Sequence, residues 1–320
     1  MDRGEKQRPT LNQSIKHNPQ NILLLCNMSF KSGFVAIIGK PNVGKSTLLN
    51  ALLGEKLSIA TQKAQTTRHR IKGIYNTPAC QIVFSDTPGI IQPKYKLQGS
   101  MMKFVNESLS DCDAVLFMTD FNTYNEEPEI IEKIKMIQTP MICAINKIDE
   151  HSQEEVEQKI AFWKELGIFK SIVPCSASNK FNVDTLIQNL MEFMPQGAPF
   201  YEQDQLTDKS ERFVASEIIR EKIMLRYKEE IPYSVQVEIE SFKEEPHIIR
   251  ISAVIYVMRD SQKIILIGKG GIAIKNMGIA ARRDLELFFK KKIFLETFVK
   301  VKEDWRDNDR TLKQFGYESD

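Results

Sequence analysis

The stretch Gly39-Lys40-Pro41-Asn42-Val43-Gly44-Lys45-Ser46 has the spacing G-x-x-x-x-G-K-[ST], and the chemistry it can do is phosphate chemistry. Its glycines, Gly39 and Gly44, let backbone N–H groups around Val43 turn inward on phosphate oxygens, and the N-terminus of a following helix adds partial positive charge. Lys45 reaches the β- and γ-phosphates, and the Ser46 hydroxyl, with Thr47 beside it in the same cradle, can ligate Mg²⁺. Asp86-Thr87-Pro88-Gly89 adds a carboxylate that can hold Mg²⁺ through water and a glycine N–H that can face a γ-phosphate. Within Gln65-Thr66-Thr67-Arg68, a threonine hydroxyl can complete the Mg²⁺ shell once a γ-phosphate is present. Thr67 is taken for that role, with Thr66 able to exchange with it and a solvated loop threonine as the plain alternative.

A second group of residues reads a base. Asn146-Lys147-Ile148-Asp149 favours guanine, because the Asp149 carboxylate can accept from both N1–H and the 2-amino group, a pair of donors adenine lacks. Asn146 is expected to brace the loop and meet the base edge, and the aliphatic stem of Lys147 to cover the ring face. Ser176-Ala177-Ser178 can offer a backbone N–H to the base oxygen, although so plain a tripeptide also reads as a strand-end turn. The order GKPNVGKS, QTTR, DTPG, NKID, SAS is that of a GTPase whose catalytic set is Lys45, Thr67 and Gly89. A P-loop small-molecule kinase, the nearest enzyme rival, has no use for NKID.

One residue is missing from the set. Where many small GTPases place a water-orienting glutamine after the glycine of D-x-x-G, this chain has Ile90, which cannot do that work. The chain resembles the subgroup of GTPases with a hydrophobic residue at this position, and slow intrinsic turnover is expected. Asn42 resembles an asparagine that some of this subgroup use to hold K⁺ near the β- and γ-phosphates, where a cation does the work of an arginine finger. A turn-forming asparagine is the equally simple reading.

These residues need strand ends to carry them. Near-continuous apolar runs at 34–39, 80–85, 114–120, 141–146 and 171–177 alternate with helical patterns near 45–53, 97–110, 127–137, 154–166 and 181–193, and a strand is expected at Ile71–Tyr75. Runs of this kind suit strands buried on both faces, so the fold class is an α/β P-loop GTPase domain, a doubly wound and mostly parallel sheet, over 31–194. Residues 195–209 lose the periodicity and gather Pro, Gly, Gln and Asp, which marks a linker that permits motion between domains.

After the linker the order of elements becomes α-β-β-α-α-β: a long helix over 210–230, strands near 234–242 and 248–258, a helix at 262–267, a helix to about 291 and a strand at 292–302. Gly268-Lys269-Gly270-Gly271 between the two later helices fits the G-x-x-G loop of a KH module, and this order is the second topological form of KH, an α+β domain over 210–305 with 306–320 as a C-terminal tail. Between 262 and 302, ten Lys and Arg stand against three Asp and Glu, a local excess of +7 hidden in a whole-chain charge of +2. That excess supports sequence-independent contacts to RNA phosphates, with Lys269 and Lys275 nearest the loop. Ile264, Ile265, Ile267, Ile272 and Ile274 flank the loop. Most are expected in the core, with a minority lining a groove for bases. His69 and His247 have no partner pattern and receive no role.

The composition agrees with two folded domains: 320 residues, 42% hydrophobic and 27% charged, with 15 Gly and 13 Pro, which excludes disordered, collagen-like and disulfide-framework chains. The five cysteines (Cys26, Cys80, Cys112, Cys143, Cys175) never form a C-x-x-C pair, so reduced thiols, no zinc cluster and a cytoplasmic setting are expected. No secretory signal or membrane-length apolar run is legible. Residues 1–30 read as a disordered leader, with Met28 as the expected true start of translation.

A P-loop GTPase followed by a KH domain of this topology resembles the Era family over residues 33–315. The segments KAQTTRHRIKGI, DTPGI, DQLTDKSERFVASEIIREKI, EEIPYSVQVEI and IGKGGIAIKNMGIAARRDLE look like that family's motifs, whereas Lys40 departs from the more usual residue and the leader has no counterpart. The resemblance implies a bacterial assembly GTPase of the small (30S) ribosomal subunit that uses GTP/GDP and Mg²⁺. It also implies a KH domain, with Gly268, Lys269, Gly270, Gly271 and Lys275 at its RNA surface, that binds near the 3′ end of 16S rRNA, and a protein working as a monomer. The alternatives are a signalling GTPase whose basic domain meets anionic lipid, peripherally at the inner membrane, and an RNA-binding module with a vestigial nucleotide site.

Overall fold

The computed structural model describes residues 30–121 and 128–317; the expectations of a disordered leader and of a start at Met28 lie outside the described residues. The first unit runs β1 (Lys31–Gly39), α1 (Lys45–Leu53), β2 (Ile71–Asn76), β3 (Cys80–Asp86), α2 (Lys96–Ser110), β4 (Ala114–Thr119), α3 (Pro128–Lys135), β5 (Met141–Ile145), α4 (Gln153–Glu165), β6 (Ser171–Pro174) and α5 (Val183–Met191). The sheet has the order β2-β3-β1-β4-β5-β6, parallel throughout except where β2 pairs antiparallel with β3. Every residue of β3, β4 and β5 is buried, as helices on both faces require. One apolar layer gathers Ala36, Ile38, Phe117 and Trp163, and the other Val35, Ile37, Leu48 and Phe84. The carboxyl ends of β1, β3, β5 and β6 deliver the four motif loops to one edge, where ligands of open α/β sheets bind.

The second unit is α6 (Glu211–Arg226), α7 (Ile231–Ser234), β7 (Gln236–Glu244), β8 (Ile248–Val257), α8 (Asp260–Ile267), α9 (Ile272–Phe289) and β9 (Lys292–Val301). β7 pairs antiparallel with β8, and β8 parallel with β9. The expected long helix over 210–230 stops short at Arg226, and a one-turn α7 follows with Pro232 in its first turn. Proline starts a helix readily but cannot continue one, so the chain restarts there.

The linker 195–209 forms no helix or strand, yet it lies along the first sheet instead of swinging free. The buried Gln81 side chain accepts from the Phe200 and Tyr201 N–H groups (2.7 and 3.0 Å) and donates to the Tyr201 carbonyl (2.8 Å). The Ile74 N–H donates to the Leu206 carbonyl (2.9 Å). Residues beyond β9 are likewise packed. Trp305, Leu312, Phe315 and Tyr317, around α10 (Asp309–Gln314), form an apolar cluster with Leu97, Met101 and Phe104 of α2. The chain's last described turn thus lies on its first domain. No single helix among the described residues is long and apolar enough to cross a membrane.

Candidate functional site

The P-loop is shaped by two close approaches. Gly44 has φ 102°, and a Cβ there would lie 2.1 Å from Asn146 Nδ2, so only glycine lets the loop before α1 come down onto the end of β5. Lys45, almost fully buried, donates to the carbonyls of Gly39 (3.1 Å) and Lys40 (2.8 Å), closing the loop on itself. Burial pushes its ammonium down to about 8, partly offset by the Asp86 carboxylate. Anionic phosphate would reverse the sign of that environment.

Three oxygens meet beside it. The Ser46 hydroxyl donates to Asp86 Oδ2 (2.7 Å), Ser46 Oγ and Thr67 Oγ1 are 2.8 Å apart, and Thr67 Oγ1 also donates to Asp86 Oδ2 at 3.3 Å. Asp86 is wholly buried, and its second carboxylate oxygen has no partner among the described residues. Burial raises its pKa, a cost that the Ser46 hydrogen bond and the Lys45 charge reduce. A buried carboxylate with an unpartnered oxygen and two hydroxyls at hand has the hard oxygen donors Mg²⁺ takes, so the residues fit that ion. Thr66 is engaged elsewhere: its hydroxyl donates to the Lys63 carbonyl (2.5 Å) and lies 2.9 Å from that of Thr61. The structure therefore brings Thr67, and not Thr66, to Ser46 and Asp86.

Gly89 is pressed onto the P-loop, where a Cβ would lie 2.6 Å from Pro41 N, and the next N–H, that of Ile90, donates to the Gly39 carbonyl (3.0 Å). The Ile90 side chain packs on the apolar layer of Ala36 and Ile38. Asn42 is exposed at the mouth, with φ 67°.

At the base end, buried Asn146 holds two loops together. Its amide donates to the Val43 carbonyl (2.8 Å) and its oxygen accepts from the Ala177 N–H (2.9 Å). The bracing role is plain, and its oxygen is committed to the loop. Lys147, at φ 66°, pairs with Asp120 at 2.5 Å. Asp149 stands exposed on the short turn Ile148–Glu150, next to Glu150, which lines the cleft. Ser176 and Ala177 are buried and Ser178 lines the cleft. The cleft holds about 550 Å³ and runs from Lys45, Ser46, Thr47 and Thr67 to Asn146, Lys147 and Ser178. Ile59, Ala60, Thr61, Gln62 and Gln65 also line it. Sequence reasoning missed them, because a loop without period gives no sign of which residues turn inward.

The second domain grips the segment that carries Thr67. Arg68, wholly buried, donates to the carbonyls of Val235 (2.7 Å) and Pro232 (3.1 Å). Lys63 Nζ donates to the carbonyls of Met224 and Tyr227 at the end of α6. Arg220 on α6 donates to the Thr66 carbonyl (2.5 Å) and forms a bidentate pair with Glu217 (2.8 and 2.6 Å).

The G-x-x-G loop lies between α8 and α9. Gly270 (φ 59°) and Gly271 (φ 76°) are left-handed with open space where a Cβ would go, whereas a Cβ on Gly268 would lie 2.6 Å from the Ala273 Cβ. Lys269 and Lys275 are exposed. Ile264 (71%), Ile272 (61%) and Ile265 (53%) are exposed as well. This corrects the reading of most flanking isoleucines as core: Leu266, Met277, Ala281 and Leu285 fill the interior with Ile274 packed part-buried against it, while Ile264, Ile265 and Ile272 stand exposed on either side of the glycines.

Residues 34–147 match the family model described as 50S ribosome-binding GTPase, and residues 230–306 that of the KH domain. The chain is 45% identical over 295 residues to GTPase Era of Alkaliphilus metalliredigens, covering 91% of this chain and 100% of that protein. It is 47% identical over 292 residues to GTPase Era of Geotalea uraniireducens, covering 90% and 98%. Among solved structures it is similar to Era in complex with MgGDPNP and nucleotides 1506–1542 of 16S ribosomal RNA, with TM-score 0.87, 40% identity, and 91% and 100% of the two chains covered. It is equally similar in TM-score (0.87, 41% identity, 91% and 100% covered) to a single-residue variant of Aquifex aeolicus Era bound to GDP.AlF4⁻.

Proposed function

The chain belongs to the Era family of GTPases, and from that premise we propose that it is a GTP-driven switch that binds 16S rRNA near its 3′ end during assembly of the small ribosomal subunit. The observation that carries the RNA half is the pairing of a left-handed glycine loop with the exposed isoleucines that flank it, set in a basic segment. Glycines let a single strand's backbone approach closely, and apolar side chains cushion unstacked bases. The chain works as a monomer, with Gly268, Lys269, Gly270, Gly271 and Lys275 at the RNA.

In the nucleotide cleft, the N–H groups of Val43, Gly44, Lys45, Ser46 and Thr47 cradle the phosphates, and Lys45 moves from the loop carbonyls to the β- and γ-oxygens. Ser46, Thr67 and Asp86 hold Mg²⁺, which supplies charge neutralisation between the β- and γ-phosphates when bound. Gly89 offers its N–H to the γ-phosphate, and Asp149, Asn146, Lys147 and the Ser176–Ser178 loop receive guanine. Ile90 orients no water, so intrinsic turnover is slow. Loss of the γ-phosphate releases Thr67 and Gly89, and that change passes to the second domain through the contacts of Arg68 and Arg220.

The test is a map of UV crosslinks on cellular RNA for wild type and Gly270→Asp. The variant places an anion in the loop at a left-handed position that Asp tolerates and that has room for its Cβ. Crosslinks at the small-subunit rRNA 3′ end that vanish in the variant are expected. Crosslinks elsewhere in both proteins would overturn the rRNA assignment. Flotation with anionic vesicles, lost in the same variant, would give the basic face to the inner membrane instead.

A further inference from the structure

Thr67 is held from both sides by the RNA-binding domain. The carbonyl before it, that of Thr66, accepts from Arg220, and the side chain after it, Arg68, donates to the carbonyls of Pro232 and Val235. Neither Arg220 nor Glu217 lies in the cleft, and neither touches the oxygens of Ser46, Asp86 or Thr67. Both are nonetheless deeply buried, at 1% and 5% exposure. A buried, bidentate ion pair is costly to assemble and gives little net stability over an apolar pair of the same shape. Its value here is directional. Glu217 accepts from Nε and Nη2 of Arg220, fixing the plane of the guanidinium. The second N–H of Nη2 is thereby aimed at the Thr66 carbonyl, and Nη1 turns to Met224 Sδ. The main chain one residue on presents the Thr67 hydroxyl to Ser46 and Asp86.

We infer that Arg220, oriented by Glu217, is a positioning residue for GTP hydrolysis: the second domain holds the Thr66 carbonyl so that Thr67 meets the γ-phosphate-dependent metal site. The inference rests on the reading of Thr67 given above and adds that a residue outside the GTPase domain sets its geometry. Because the switch threonine is ordered by the γ-phosphate and its metal ion, the effect belongs to the GTP state and spares GDP.

Arg220→Met keeps the aliphatic bulk against Met224 and removes the fork; Arg220→Lys keeps the charge but cannot bond Glu217 twice and Thr66 at once. The full-length proteins are compared for kcat and for its midpoint in Mg²⁺, normalised to GDP-binding sites, and for GDP affinity. Residues that orient metal ligands from outside the coordination shell typically change affinity or activity by about 10- to 100-fold. Arg220→Met is therefore expected to lower kcat and raise the Mg²⁺ midpoint within that range, with GDP affinity within about twofold of wild type, and Arg220→Lys to recover part of the loss. Thr67→Val is expected to be slow on its own, and adding Arg220→Met to it to cost little more, since both act on one hydroxyl. Unchanged kcat and Mg²⁺ midpoint per GDP-binding site in Arg220→Met, with Thr67→Val still slow, would overturn the positioning role. A Thr67→Val protein as fast as wild type would instead overturn the metal reading of Thr67.

Discussion

Ile90 and Asn42 together define how this site differs from a GTPase with a glutamine in place. The isoleucine is not a neutral loss: it packs into the layer of Ala36 and Ile38 and so ties the end of the DTPG loop to the sheet. A cation held beside the phosphates would supply transition-state charge in the glutamine's absence, and Asn42, the residue proposed to hold it, stands exposed on the rim in a left-handed turn. Turnover in KCl is expected to exceed that in NaCl of equal ionic strength by at least about tenfold, a modest share of what a positioned charge supplies at a phosphoryl group. Equal rates would leave Asn42 a turn residue. At this scale the motif residues were legible, because phosphate and guanine recognition demand particular side chains at fixed spacings. Thr67 is taken there with Thr66 left able to exchange, because two adjacent hydroxyls differ only in how a nonperiodic loop turns, and the structure turns Thr67 to Ser46 and Asp86. Arg220 was invisible for a different reason: a helical arginine three residues from a glutamate reads as a solvated pair until tertiary packing buries it.

The strands and helices followed from apolar periodicity to within a few residues, and the failures came where one turn of chain decides. The break after Arg226 depends on Tyr227 turning inward to donate its hydroxyl to the Leu266 carbonyl (2.7 Å), a contact that no local pattern announces. The exposed isoleucines around the G-x-x-G loop invert the usual reading of apolar residues on a short helix, and such inversions are where binding surfaces lie. Lys269, exposed between the glycines, is expected to contact phosphate and no base. Lys269→Ala should weaken RNA binding across sequences and lower the slope of log K against log salt by about 0.7, the increment for one single-strand phosphate contact. Ile265→Ala, in contrast, should weaken binding and leave the slope unchanged. Both are read by titrating a labelled RNA strand at several salt concentrations. An unchanged slope in Lys269→Ala would remove that residue from the phosphate contacts.

Across the whole molecule, the two domains meet over the segment 61–70, and the C-terminal residues cover one side of it. His69, given no role by its sequence surroundings, stacks on Tyr317 (centroids 4.3 Å apart) with Phe213 edge-on, and its Nδ1 is buried without a partner among the described residues. Burial pushes its pKa from the ordinary 6.5 down to about 4, against the pull of the Glu217 carboxylate. The folded protein therefore refuses a proton that the unfolded chain takes up between those values. The His69 share of stability should fall as pH drops from about 6.5 to about 4, by about 1–3 kcal/mol, and level off below. Denaturation midpoints across that range should fall less for His69→Phe than for wild type; equal losses would place the acid sensitivity elsewhere. The linker was the other surprise at this scale. Its composition reads as a boundary and a free linker, yet Gln81, in the buried strand β3, holds it to the sheet.

His69 and Phe315, whose carbonyl lies 3.4 Å from the imidazole, are 246 positions apart, and translation separates them in time. At about 5–20 residues per second, His69 is made roughly 10–50 s before Phe315, and the first domain, once its last helix is made, waits about half of that time for the residues that cover its flank. At the start of that wait a nascent chain has its phosphate loop and its guanine pocket but lacks α6, and until its end it lacks the ring stack over His69. The contacts that grip the Thr67 segment wait for α6 and α7, and the stack beside them waits for Tyr317, so the phosphate loop exists well before the switch that is to answer to it.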